Sequence, residues 1–258
     1  MEEILKIALV QSSLVWEDPE ANRAHFSKKL DLVSNDVDLA ILPEMFTSGF
    51  TMSPEKLGAD QSKKTVDWMV NEAVSRNMAL VGSSVFYENE KYYNRLLFVK
   101  PDGEVSSYNK RHTFTLAGEH KKYTSGKSIE TIDYKGFRIT PLICYDLRFP
   151  VWSRNVSGYD ILVYVANWPK PRITAWDALL KARAIENMAY CVGVNRIGTD
   201  EKGLEYDGHS AVYDPLGERQ AFSEKEGIVE TTVSKTYVKE IRSKLRFLED
   251  RDDFNLKY

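Results

Sequence analysis

Thr140-Pro141-Leu142-Ile143-Cys144-Tyr145-Asp146-Leu147-Arg148-Phe149-Pro150 is the stretch on which the reading of this chain turns. It opens as the apolar end of a buried strand. Cys144 stands where that strand stops, and a turn follows before the next helix. A nucleophile elbow has this form: an exposed side chain at a sharp strand end, with backbone N–H groups aimed near it. An adjacent helix N-terminus and a nearby cation would favour the thiolate. The plain alternative is inert core packing, the usual fate of a cysteine beside an apolar strand. Cys191, inside Tyr190-Cys191-Val192-Gly193-Val194 with no charge nearby, is expected to be such a core residue.

Two further strand ends carry suitable partners. Ile41-Leu42-Pro43-Glu44-Met45-Phe46 places a carboxylate immediately after an apolar run and a proline. Poor solvation there would raise its pKa and suit Glu44 to general-base work; the plain alternative is a loop glutamate capping a helix. Tyr108-Asn109-Lys110-Arg111-His112 ends another strand with Lys110. In a cleft that ammonium could face a developing oxyanion; elsewhere it would be a solvated surface lysine.

Working outward, strands and helices alternate. Apolar runs at Ile4–Gln11, 38–42, 79–87, Ile161–Ala166 and Tyr190–Asn195 suit buried strands, and helical spacing recurs over 21–34, 61–77, 172–188 and 236–247. Hairpins are expected around Pro101-Asp102-Gly103, Lys135-Gly136 and Asp214-Pro215-Leu216-Gly217, so the sheets are mixed rather than purely parallel. This is an α/β pattern with helices outside the sheets. The amount of strand suggests two sheets. No linker or short repeat divides the chain, so one domain over 1–258 is expected.

Composition narrows the function classes. The 258 residues are 43% hydrophobic and 28% charged, with a formal net charge of -3. No basic stripe marks a nucleic-acid face and no apolar run reaches membrane-spanning length. The acidic start Met1-Glu2-Glu3 is wrong for a signal peptide, and two cysteines without CxxC or zinc-finger spacing exclude a disulfide-rich fold. A reducing cytoplasm is the expected compartment. The sequon Asn155-Val156-Ser157 carries no meaning there.

Together, Leu42-Pro43-Glu44, Tyr108-Asn109-Lys110-Arg111-His112 and Cys144-Tyr145-Asp146-Leu147-Arg148-Phe149-Pro150 resemble the nitrilase superfamily, the carbon–nitrogen hydrolases, which carry a Glu–Lys–Cys triad in that chain order. Asn167-Trp168-Pro169, the stretch from Ala182 to Asn187, Val194-Asn195-Arg196-Ile197-Gly198 and Gly208-His209-Ser210 extend the likeness along nearly the whole chain. The resemblance implies a four-layer α-β-β-α sandwich that assembles as a homodimer or larger homo-oligomer. It also implies that Glu119, in Leu116-Ala117-Gly118-Glu119-His120, is a second glutamate of the site. The segments 114–120, 167–169 and 250–254 look most like the bacterial ω-amidase branch, whose implied substrates are 2-oxoglutaramate and 2-oxosuccinamate.

The chemistry expected is amide hydrolysis through a Cys144 thioester. Glu44 moves the protons, and Lys110 with the Tyr145 backbone N–H faces the oxyanion. Neither metal nor cofactor is needed for it, and the partner is a small-molecule amide. Arg172, beyond a strand end and at a helix start, is the expected partner of a substrate carboxylate. Arg148 competes, although the resemblance places it in a structural ion pair. Phe46, Phe114 and Trp168 are expected either to wall the pocket or to pack in the core. The triad alone does not separate an amidase from a nitrilase, an N-carbamoyl amidase or an amide transferase. A binding protein that kept only the fold, or a thiol redox sensor, is the reading from another class.

Overall fold

The computed structural model describes residues 3–256. In chain order its strands are β1 (Ile4–Gln11), β2 (Leu39–Ile41), β3 (Ala79–Glu88), β4 (Lys91–Val99), β5 (Val105–Asn109), β6 (Ile132–Tyr134) and β7 (Phe137–Ile143). They continue with β8 (Ile161–Ala166), β9 (Tyr190–Asn195), β10 (Ile197–Thr199), β11 (Glu205–Asp207), β12 (Ser210–Tyr213), β13 (Arg219–Ser223) and β14 (Gly227–Ser234). The helices are α1 (Pro19–Leu30), α2 (Gln61–Arg76), α3 (Ile173–Asn187) and α4 (Lys235–Leu245). One six-stranded sheet has the order β14-β1-β2-β3-β4-β5 and the other β13-β12-β9-β8-β7-β6, while β10 and β11 form a separate ribbon.

Both sheets use the same succession of pairings. From β14 to β5 they run antiparallel, parallel, parallel, antiparallel, antiparallel. From β6 to β13 the series is identical. The ends of β2 and β8, the central parallel strands, are therefore equivalent places in the two sheets.

Side-chain alternation on β1 explains the layering. Leu5, Ile7 and Leu9 pack into the core shared with the second sheet, alongside Ile139, Ile161 and Val163. Ala8 and Val10 face the other way, onto Phe26 and Leu30 of α1 and Met69 and Ala73 of α2. Both faces are buried from Ile7 to Val10, so that part of β1 reads as a continuous apolar run without polar alternation. Beyond the second sheet, Trp176, Leu180 and Ala184 of α3 close the stack. The result is the four-layer α-β-β-α sandwich.

The close approach of α3 to β9 depends on Gly193. A Cβ there would lie 2.4 Å from Leu180 Cδ1 and 2.6 Å from Trp176 Cζ2. Gly193→Ala is expected to cost about 1–3 kcal/mol of stability through overpacking, read as a lower denaturation midpoint. An unchanged midpoint would show that α3 can retreat freely.

The structure departs from the sequence reading at several elements. The first helix starts at Pro19 and not residue 21, because Asp18 Oδ1 caps it by accepting from the Ala21 N–H at 2.9 Å. The β10–β11 ribbon was not expected. After Cys144 comes a single 3₁₀ turn, Cys144–Arg148, and not a helix. Asn155 of the sequon is 1% exposed, and its amide donates to the Tyr159 and Asn187 carbonyls at 3.0 Å each. Among the described residues, no helix is long and apolar enough to cross a membrane.

Candidate active site

The residues that follow β2, β5, β7 and β8 meet between the two sheets. Two of them leave their strands through strained turns: Cys144 has φ 42° and Met45, beside Glu44, has φ 43°. Non-glycine residues pay roughly 1–2 kcal/mol for that left-handed conformation, so such positions persist where the surroundings hold them. At Cys144 the holding group is Asp146. Its Oδ2 accepts from the Ile143 N–H at 3.1 Å and the Tyr108 hydroxyl at 2.8 Å. Its Oδ1 accepts from the His112 N–H at 2.9 Å and lies 2.8 Å from His112 Nδ1. One carboxylate thus ties the cysteine turn to the segment that carries Lys110. Arg183 of α3 fixes the turn from behind, donating to the Leu147 carbonyl at 2.6 Å.

Lys110 is 1% exposed and lies between two fully buried carboxylates. Its Nζ donates to Glu44 Oε1 at 2.8 Å and is 3.1 and 3.0 Å from the two Glu119 oxygens. Asn94, a buried amide of β4, bridges the same carboxylates at 2.8 and 3.2 Å. The Ser83 hydroxyl donates to Asn94 Oδ1 at 2.9 Å, which orients the amide. The Asn167 N–H at the end of β8 donates to Glu44 Oε2 at 2.8 Å. Glu44 is therefore held in place from both sheets.

Electrostatics divides the roles. Burial alone would lower the Lys110 pKa, but Glu119 and Glu44 outweigh it and raise it above the ordinary range. Burial, then the Glu44 charge, pushes Glu119 above the ordinary carboxylate range against the pull of Lys110. Burial and the neighbouring Glu44 push the Cys144 thiol well above its ordinary value, and Lys110 opposes them. This corrects the expectation of a favoured thiolate. The turn is too short to act as a helix N-terminus, and Glu44 stands close enough to repel a negative sulfur. Cys144 therefore rests as a thiol beside a carboxylate base. Wild type and Cys144→Ala should show no difference in far-ultraviolet thiolate absorbance at neutral pH. A difference would mean a preformed ion pair. Cys191 is fully buried in β9, and burial raises its thiol too.

A cavity of about 150 Å³ opens over Cys144. Phe114, Tyr145, Trp168, Arg148 and Arg172 line it, together with Phe50 and residues of the β10–β11 ribbon. Phe114 and Tyr145 meet edge to face at 4.9 Å, the Arg172 guanidinium lies 5.3 Å from the Phe114 ring, and Arg148 lies 4.8 Å from Trp168. Arg148 stacks on this aromatic wall, and among the described residues it has no carboxylate partner, which corrects the expected ion pair. Phe46 does not line the cavity. The turn at Met45 sends it into the layer between sheet and helices, where it contacts Phe26 and Trp68 rings at 5.5 Å each. The sequence reading did not single out Asn94, Phe50, Asp200, Lys202, Leu204 and Tyr206.

Known proteins match this arrangement. The sequence profile described as carbon-nitrogen hydrolase matches residues 6–243. An omega-amidase, YafV, of Escherichia coli K12 is 44% identical, with 98% of each chain covered. A 2-oxoglutaramate amidase of Bacillus subtilis is 29% identical over 95% of this chain and 96% of its own. The crystal structure of XC1258 from Xanthomonas campestris, a CN-hydrolase superfamily protein with an arsenic adduct in its active site, superposes with a TM-score of 0.95. It is 41% identical, over 98% of this chain and 99% of that one. With its sandwich of mixed sheets and a profile match that spans most of its length, the chain belongs to the carbon–nitrogen hydrolase family.

Proposed function

We propose that this protein is an ω-amidase that hydrolyses the terminal amide of 2-oxoglutaramate or 2-oxosuccinamate. One observation carries the proposal: a thiol, a buried carboxylate and a buried ammonium meet at the floor of a cavity lined by two arginines without carboxylate partners. The names of the Escherichia coli and Bacillus subtilis relatives support the same substrate class.

The mechanism follows from the positions. Glu44 takes the proton of Cys144 as the sulfur attacks the amide carbon. The carbonyl oxygen becomes an oxyanion, faced by the Lys110 ammonium and the Tyr145 N–H. Tyr145 is the second residue of its turn, so its N–H has no acceptor within that turn. Glu44 returns the proton to the nitrogen, the C–N bond breaks and ammonia leaves. Water then attacks the thioester, with Glu44 accepting its proton and passing it to the departing sulfur. Glu119 holds Lys110 charged and in place. Sulfur supplies the nucleophile and Lys110 the positive charge, so the steps balance without metal or cofactor.

Arg172 is the proposed partner of the substrate carboxylate, with Arg148 beside it and Phe114 and Trp168 as walls. Arg172→Ala should raise the KM for 2-oxoglutaramate about tenfold or more and change that for a neutral amide far less. Equal losses on both would remove Arg172 from this role. The proposal further takes 1–258 as one domain acting as a homodimer or larger homo-oligomer in the cytoplasm. The two unpaired thiols support a reducing compartment, and light scattering tests the assembly. Ammonia release from 2-oxoglutaramate, glutamine, asparagine and a simple nitrile tests the activity. Preference for the oxo acid supports the proposal, and preference for the nitrile or an N-carbamoyl compound moves it within the family.

A further inference from the structure

One wall of the cavity belongs to the β10–β11 ribbon, through Asp200, Lys202, Leu204 and Tyr206. The ribbon is braced rather than loose. Asp200 Oδ1 accepts from the Lys202 and Leu204 N–H groups at 2.9 and 3.0 Å, and Oδ2 accepts from the Tyr206 hydroxyl at 3.0 Å. The Arg196 guanidinium lies 4.5 Å from the Tyr206 ring, on its own nearly buried side chain. At the base of the ribbon, Lys170 pairs with Glu205 at 3.0 Å and Asp207 at 3.5 Å. Lys170 belongs to the segment that also carries Trp168 and Arg172, so the ribbon is tied to the arginine side of the cavity.

Charge in the lining is one-sided. Lys202, Arg148 and Arg172 line the cavity, and among the described residues none of them has a carboxylate partner. Asp200 is the one carboxylate in that lining, and both its oxygens are already engaged by the ribbon. A ligand's carboxylate therefore meets unpaired cations, and a ligand's ammonium meets no free carboxylate, only the uncharged Asn167 Oδ1 as an open acceptor. We propose that Lys202, on the braced turn of the ribbon, is a specificity-determining residue that pairs with the substrate's free carboxylate beside Arg172 and disfavours an α-ammonium there. The proposal rests on the ω-amidase reading. It distinguishes the ω-amide of a 2-oxo acid from glutamine, which presents the same carboxylate next to a positive charge.

The test measures KM and kcat of wild type, Lys202→Met, Lys202→Arg and Lys202→Glu on 2-oxoglutaramate, glutamine and a neutral amide. Lys202 is exposed, so the variants should keep the wild-type melting midpoint. Lys202→Met is expected to raise the KM for 2-oxoglutaramate about tenfold with kcat within about twofold, and to affect the neutral amide far less. Lys202→Arg restores the wild-type KM, and Lys202→Glu shifts the ratio of kcat/KM values toward glutamine. If wild type prefers 2-oxoglutaramate and Lys202→Met keeps its KM, this inference is overturned while the ω-amidase reading stands. A wild type without preference for the carboxylate-bearing amide overturns both.

Discussion

Cys144→Ala is expected to lose amide turnover by about 10⁴-fold or more, because groups that act as one unit fail together when the nucleophile is removed. The substitution leaves the hydrogen bonds within the buried Glu44–Lys110–Glu119 cluster in place and removes only the Glu44 contact to the sulfur. Folding and substrate binding should therefore survive, with KM or ligand affinity near wild type. Cys191→Ala is the matched control: the same atoms are removed, but from the apolar interior of β9. It should lose stability, by about 1–3 kcal/mol for a small core truncation, and keep its turnover. Measured ammonia release from the two variants separates the thiols. An active Cys144→Ala enzyme would refute the nucleophile.

Lys110→Met has the second large effect, and it acts on both catalysis and folding. Loss of one oxyanion donor is expected to lower kcat by about 10²–10³-fold. Removing one partner of a buried ion pair costs about 3–5 kcal/mol, because the remaining charges stay buried without compensation. Here Glu44 and Glu119 remain, both fully buried and both bonded to Asn94. Burial and Glu44 already raise Glu119 in the wild-type protein. Without the ammonium, the pull that Lys110 exerts on Glu119 is gone, and the folded-state pKa of that carboxyl rises further above its unfolded value. A raised folded-state pKa contributes stability that is present below the unfolded value and lost as pH climbs through the folded one. The deficit of Lys110→Met relative to wild type should thus be small near pH 4 and grow toward neutral pH, as seen in denaturation midpoints across that range. A deficit independent of pH would show that the variant suffers from lost packing and not from unpaired carboxylates.

The sequence exposes the parts of this protein that depend on local pattern. Apolar runs ending at Pro43-Glu44 and Cys144, and the strand that follows the Asp102-Gly103 turn and ends at Lys110, place three chemical groups at strand ends, and β8 and β9 fall where the apolar runs do. What closes those ends into a site is tertiary. Asp146 reaches Tyr108 and His112 across thirty-odd residues of chain, and the Asn167 N–H reaches Glu44 from the other sheet. No spacing announces either contact. The charge state of the thiol was misjudged for a related reason: it is set by burial and the nearness of Glu44, both of which exist only in the folded chain. The β10–β11 ribbon escaped notice because Ile197–Thr199 and Glu205–Asp207 are too short to show a period and are largely polar. The β3–β4 hairpin turns at Asn89 and Glu90, both at positive φ, without the glycine that normally signals such a turn. Phe46 shows the opposite error. Adjacency to Glu44 suggested a pocket wall, but one left-handed residue between them points it into the core.

The central claim is that acyl transfer passes through a thioester on Cys144. A free thioester partitions between water and added hydroxylamine, in a ratio set by the acyl group alone. We would compare 2-oxoglutaramate with its N-methyl amide in hydroxylamine and measure the ratio of hydroxamate to acid. The thioester mechanism predicts the same ratio from both, although the two amides react at different rates, and no hydroxamate from Cys144→Ala. Ratios that change with the leaving nitrogen would contradict a common intermediate and would mean that water or hydroxylamine attacks the amide directly.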